Sequence, residues 1–135
     1  TLGLNANGVP WKLGIETPIP GEGARRVKRT LGLSGQSLAT SGDYRNYYEK
    51  DGVRISHTID ARTGRPITHK AASVSVVHSN CTLADAWATA LNVLGAEEGM
   101  KIAEEQKLAV LFIVRKGEEF VEIESSAFKQ INEKK

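Results

Sequence analysis

Apolar and polar positions along this chain follow two periods. Pro10–Ile15, Arg25–Leu33 and Ser37–Thr40 alternate over short runs, which predicts three short strands. Asn7-Gly8 marks a turn, Pro18, Pro20, Gly21 and Gly23 a loop, and Ser41-Gly42-Asp43 the end of the third strand. Tyr44–Lys50 and Val53–Ile59 then flank Asp51-Gly52, the pattern of a two-residue type I′ hairpin. That turn sets a register: Lys50 opposite Val53, Tyr48 opposite Ile55, Asn46 opposite His57, Tyr44 opposite Ile59. Asp60–Pro66 reads as a turn and Ser73–Val77 as an apolar strand. From Thr82 the period lengthens. Thr82–Leu94 predicts a helix capped by Asn80 or Thr82 and stopped by Gly95. Ala96–Gln106 predicts a second helix with Met100, Ile102 and Ala103 inward. Leu108–Arg115 and Phe120–Glu124 form a hairpin around Lys116-Gly117, and Ser125–Asn132 a short helix before a charged tail.

Strands, then helices, then strands imply an α+β fold: a mainly antiparallel sheet with helices packed on one face. At 135 residues, 40% hydrophobic and 25% charged, with net charge +2, the chain suits one domain, residues 1–135, and not a disordered segment. Cys81 is the only cysteine, which excludes a disulfide framework. With only His57, His69 and His78 beside it, a closed Cys/His zinc site is disfavoured too. No apolar run is long enough for a membrane-spanning helix. The first residue is Thr1, so the chain is expected to be part of a longer precursor.

Within Leu83–Leu91 every residue is apolar except Asp85 and Thr89, which stack one turn apart on a single helix face, and Asn92 extends the stripe. A carboxylate and a hydroxyl so placed are hard oxygen donors that suit Mg2+. Three local readings compete, one of them that the stripe is a narrow solvent-facing edge. Thr82 and Asp85 have capping-box spacing, and the Thr89 hydroxyl can bond back to the carbonyl of Asp85.

On the hairpin, His57 falls in alternation with Val53, Ile55 and Ile59, on a face expected to meet the core or line a pocket. A neutral histidine there serves as a general base. The competing reading is a structural histidine bonded to a carbonyl or a tyrosine. Asp60 has the position of an Asx-turn residue. Thr40 and Ser41 lie in a small-residue bend that a ligand can approach closely, or that simply turns the chain. Arg25–Arg29 is the densest basic run, but alternation splits it between two faces. A solvated edge strand is favoured over nucleic-acid binding.

Four segments in this order resemble one family. They are Asn7-Gly-Val-Pro-Trp-Lys-Leu-Gly-Ile15, Ser37-Leu-Ala-Thr-Ser-Gly-Asp-Tyr44, Ser56-His-Thr-Ile-Asp-Ala-Arg-Thr-Gly-Arg-Pro66 and Leu83-Ala-Asp-Ala-Trp-Ala-Thr-Ala-Leu91. Together they resemble the ApbE-type FAD:protein FMN transferases, over residue 3 to the last helix but only in the C-terminal part of the family's length. The resemblance implies a T-fold-like architecture and Mg2+-dependent transfer of FMN from FAD to a Thr or Ser hydroxyl, with AMP released. It implies Asp85 and Thr89 as metal ligands, His57 as the catalytic base, and Thr40, Ser41 and Asp60 beside the flavin nucleotide. Ala61 and Thr58 depart from the family's usual proline and apolar residue. The implied partners are flavoprotein subunits of membrane redox complexes and no nucleic acid. The rest of the site is expected from a missing N-terminal half or a complementary chain. Many relatives are lipoproteins on the periplasmic side of the bacterial inner membrane, and others are cytosolic. The alternatives are a non-catalytic flavin-binding module and an Mg2+-dependent FAD pyrophosphatase.

Overall fold

The computed structural model describes residues 1–19, 26–44 and 47–133. The predicted roles of Pro20, Gly21, Gly23, Arg25 and Asn46, and the end of the charged tail, lie outside them.

β1 (Trp11–Glu16) and β2 (Val27–Leu33) form an antiparallel ribbon in which Leu13 opposes Leu31 and Ile15 opposes Arg29. β3 (Ser37–Gly42) starts the main sheet. β4 (Tyr47–Lys50) and β5 (Val53–Ser56) form a separate hairpin, followed by the short pair β6 (Ile59–Asp60) and β7 (Arg65–Pro66). β8 (Ala71–His78) precedes the long helix α1 (Cys81–Glu105). β9 (Ala109–Lys116), β10 (Glu119–Glu124) and α2 (Ser126–Glu133) complete the chain. The main sheet has the order β10-β9-β8-β3 and is antiparallel throughout. The mixed, mainly antiparallel architecture is the expected one.

Alternation along β8 and β9 divides the core in two. Val74, Val76, Val110 and Phe112 point to one face, where Ala88, Leu91 and Ala103 of α1 cover them. Val77, Leu111 and Ile113 point to the other, under Ile15, Leu31 and Leu33 of the ribbon and Phe128 of α2. Each helix therefore serves its own face, with the ribbon filling the area beside α2; the expectation that the helices share one face is corrected, because the alternation of β8 and β9 makes both faces of the sheet apolar. Burying side chains of this size stabilises by about 1.5–3 kcal/mol each, so both halves of the core matter.

The Asp51-Gly52 hairpin has the predicted register, Lys50 with Val53 and Tyr48 with Ile55. Both turn residues have positive φ, 52° and 74°, as a type I′ turn requires. Two expectations beyond that turn need correction. Among the described residues the hairpin pairing ends at Tyr47 with Ser56, and Ile59 pairs with Pro66 rather than Tyr44. His57 also does not face the core. Ser56 is buried, whereas Val53 and His57 are exposed. Among the described residues this hairpin pairs with no strand of the main sheet, so its alternation is not set by the core of that sheet.

The basic strand differs too. Arg29 is not a solvated edge charge: its Nε donates to Glu122 at 3.1 Å and its Nη2 to both Glu122 and Glu124 of β10. The ribbon is thereby fastened to the outer strand of the sheet.

Candidate active site

α1 begins at a true cap. The Leu83 N–H donates to Asn80 Oδ1 at 3.1 Å, so Asn80 and not Thr82 closes the helix start. The Thr82/Asp85 capping box is therefore not formed. Asp85 and Thr89 follow one turn apart, both exposed, and among the described residues neither side chain has a hydrogen-bond partner. The donor set is two hard oxygens on one helix face, which fits Mg2+ in kind. It does not fill a coordination shell. Among the described residues no group of three or more His, Cys, Asp or Glu converges on one point.

The stripe ends at Asn92, which is fully buried. Its Nδ2 donates to Thr58 Oγ1 at 3.5 Å, so the residue after His57 rests on the same helix flank as Asp85 and Thr89. Asn92 Oδ1 is buried and has no partner among the described residues. Such an orphan costs about 1–3 kcal/mol.

Asp60 stands close by, on a β6 that packs against α1. Its Oδ1 accepts the Arg62 N–H at 2.9 Å, the predicted Asx-turn, and its Oδ2 accepts from Arg62 Nη2 at 2.9 Å. The Arg62 guanidinium, which also donates to Glu98, holds the Asp60 carboxyl below the usual carboxylate range. The carboxylate is thus committed to the turn.

Thr40 and Ser41 are adjacent on β3 and so face opposite sides of the sheet. Ser41 opposes Val74, on the α1 side, and Thr40 opposes Ser75, on the ribbon side. Thr40 and Ser75 share a hydrogen bond of 2.7 Å between their hydroxyls. Ser41 accordingly lies on the sheet face that α1 covers, and Thr40 on the opposite face. The bend after them is tight, because a Cβ on Gly42 would stand 2.7 Å from the Ala72 carbonyl oxygen.

His69, Arg115 and Glu98 were not marked by any motif. His69 Nε2 donates to the Asn92 carbonyl at 2.6 Å, and Arg115 pairs with Asp43 beside the Ser41 bend. All three act through residues distant in sequence, so no local spacing could have flagged them.

The ApbE family model matches residues 1–112. This chain belongs to the ApbE family. It is 48% identical over 127 residues to the FAD:protein FMN transferase of Vibrio cholerae, covering 94% of this chain and 37% of that protein. It is 43% identical over 127 residues to the Escherichia coli K12 FAD:protein FMN transferase, covering 94% of this chain and 36% of that protein. Among solved structures, the flavin transferase ApbE from Vibrio cholerae matches with a TM-score of 0.80 at 44% identity, covering 95% of this chain and 40% of that one. The ApbE protein from Thermotoga maritima matches with a TM-score of 0.79 at 30% identity, covering 96% and 40%. The chain thus spans little more than a third of the length of these curated relatives.

Proposed function

We propose that the protein carrying this chain is an Mg2+-dependent FAD:protein FMN transferase acting on a Thr or Ser hydroxyl of a flavoprotein subunit. Two things support the reading: the name shared by its relatives, and one juxtaposition. Asp85, Thr89 and Asn92 line one flank of α1, and the last of them holds Thr58, next to His57.

In this reaction the target hydroxyl oxygen attacks the phosphorus on the FMN side of the FAD pyrophosphate. A phosphorus–oxygen bond to the target forms, the bridging bond breaks, and AMP leaves with the electron pair. His57 takes the hydroxyl proton as the new bond forms. Its exposure at the end of β5 leaves it reachable by an incoming protein side chain. Asp85 and Thr89 would hold the Mg2+, which when bound neutralises charge on the phosphate oxygens. Ser41 lies on the sheet face that α1 covers and suits a nucleotide contact there. Thr40 and Asp60 border the nucleotide by resemblance alone. Further metal ligands and most of the flavin surface would come from outside this chain.

The test incubates the full-length protein with FAD, Mg2+ and a threonine-bearing target peptide. Covalent flavin on the peptide with one AMP per flavin is expected. AMP and FMN with an unlabelled peptide make it a pyrophosphatase, and bound FAD without AMP makes it a binding module. Full labelling by the Asp85→Ala/His57→Ala double variant rejects this site.

A further inference from the structure

The segment between β5 and β8 carries His57 and Asp60, yet among the described residues its strands β6 and β7 pair only with each other. Among the described residues, side-chain hydrogen bonds at three places tie it to α1. Arg62 Nη1 donates to Glu98 at 3.0 Å, Asn92 Nδ2 to Thr58 Oγ1 at 3.5 Å, and His69 Nε2 to the Asn92 carbonyl at 2.6 Å. They are not equal. The Arg62–Glu98 pair is exposed and so weak. The Asn92–Thr58 bond is long. The His69 bond is short and partly buried.

Both ring nitrogens of His69 are committed. Nδ1 accepts the Ala71 N–H at 3.2 Å, which places the hydrogen on Nε2, the nitrogen that donates to Asn92. Ala71 opens β8, so the ring bridges sheet and helix. The bridge depends on Gly95. At φ 78°, ψ 176° this glycine breaks the carbonyl-to-amide ladder inside α1, and His69 supplies a donor to the Asn92 carbonyl there. A Cβ on Gly95 would lie 2.9 Å from the His69 ring. Helix break and histidine are built for each other.

We propose that His69 is a positioning residue: by binding the Asn92 carbonyl at the break in α1, it clamps the His57–Asp60 segment to the helix that carries Asp85 and Thr89. It thereby sets where His57 stands relative to that pair. The inference rests on the transferase reading for its functional consequence, but the clamp itself can be measured without it.

The experiment compares His69→Phe and His69→Gln with the native full-length protein by hydrogen exchange and steady-state flavin transfer. His69→Phe keeps a ring beside Gly95 and removes both nitrogens, whereas His69→Gln keeps a donor. In His69→Phe the amides of residues 56–60 are expected to exchange about tenfold faster or more, while those of β8 and β9 keep their protection. The kcat is expected to fall about tenfold, with the KM for FAD within about twofold of native. His69→Gln restores most of both. Unchanged exchange at residues 56–60, equal acceleration across β8 and β9, or an unchanged kcat overturns the proposal. A native protein that transfers no flavin rejects the transferase reading, and the exchange pattern still decides the clamp.

Discussion

Arg115 on β9 reaches past the intervening strand β8 to hold Asp43, with Nη2 to Oδ1 at 3.0 Å and Nη1 to Oδ2 at 3.4 Å. The pair is mostly buried, 24% and 11% exposed. It anchors the Ser41-Gly42-Asp43 bend, whose Asp43 N–H also donates to the Ala72 carbonyl at 3.3 Å. Arg115→Met is expected to lower stability by about 1–2 kcal/mol, between the values for exposed and fully buried pairs. Urea unfolding measures this, and an unchanged midpoint shows the pair to be energetically silent.

Asp85 and Thr89 separate activity from stability. Both are exposed, and the helix start is capped by Asn80 instead. Asp85→Ala is expected to change stability by less than about 0.5 kcal/mol. The same change should remove flavin transfer by the full-length protein, as chelation of Mg2+ should. Asn80→Ala should do the reverse, costing about 1 kcal/mol with transfer retained. Calorimetry and peptide labelling on the same samples check both.

Gly95→Ala tests the break in α1. The observed φ 78°, ψ 176° belongs to a region nearly closed to other residues, and the added methyl meets the His69 ring. A loss of about 1–3 kcal/mol is expected. If the melting temperature holds, the break is not needed.

The Asp60 carboxyl is held low, first by the side-chain hydrogen bond from Arg62 and then by the Arg62 backbone N–H. With a folded pKa below the ordinary value of 3.8, the unfolded chain takes up the proton first as pH falls. The contribution is therefore whole above that value and is lost as pH drops through the folded one. Native protein should lose stability more steeply than Asp60→Asn as pH falls below the ordinary value of 3.8. The exposed setting keeps the difference small. Parallel urea titrations across that range test it, and identical slopes for the two proteins contradict it.

Local chemistry settled much of this chain. Asp51-Gly52 sets its hairpin register because two adjacent positive-φ residues admit few turns. Asn80 and Gly95 bound the first half of α1 because capping and left-handed backbone are decided within a turn of helix. The alignment of Asp85, Thr89 and Asn92 follows from helical pitch alone. Packing against residues distant in sequence decided the rest. Alternation placed His57 with Val53 and Ile55, but only tertiary contacts determine whether a strand face meets a core. Arg29 looked solvated until Glu122 and Glu124 came to it from β10. The pairings of His69 with Asn92, Arg62 with Glu98 and Arg115 with Asp43 left no periodic trace. Hydrogen bonds between distant segments depend on where whole elements dock, which short-range patterns do not encode.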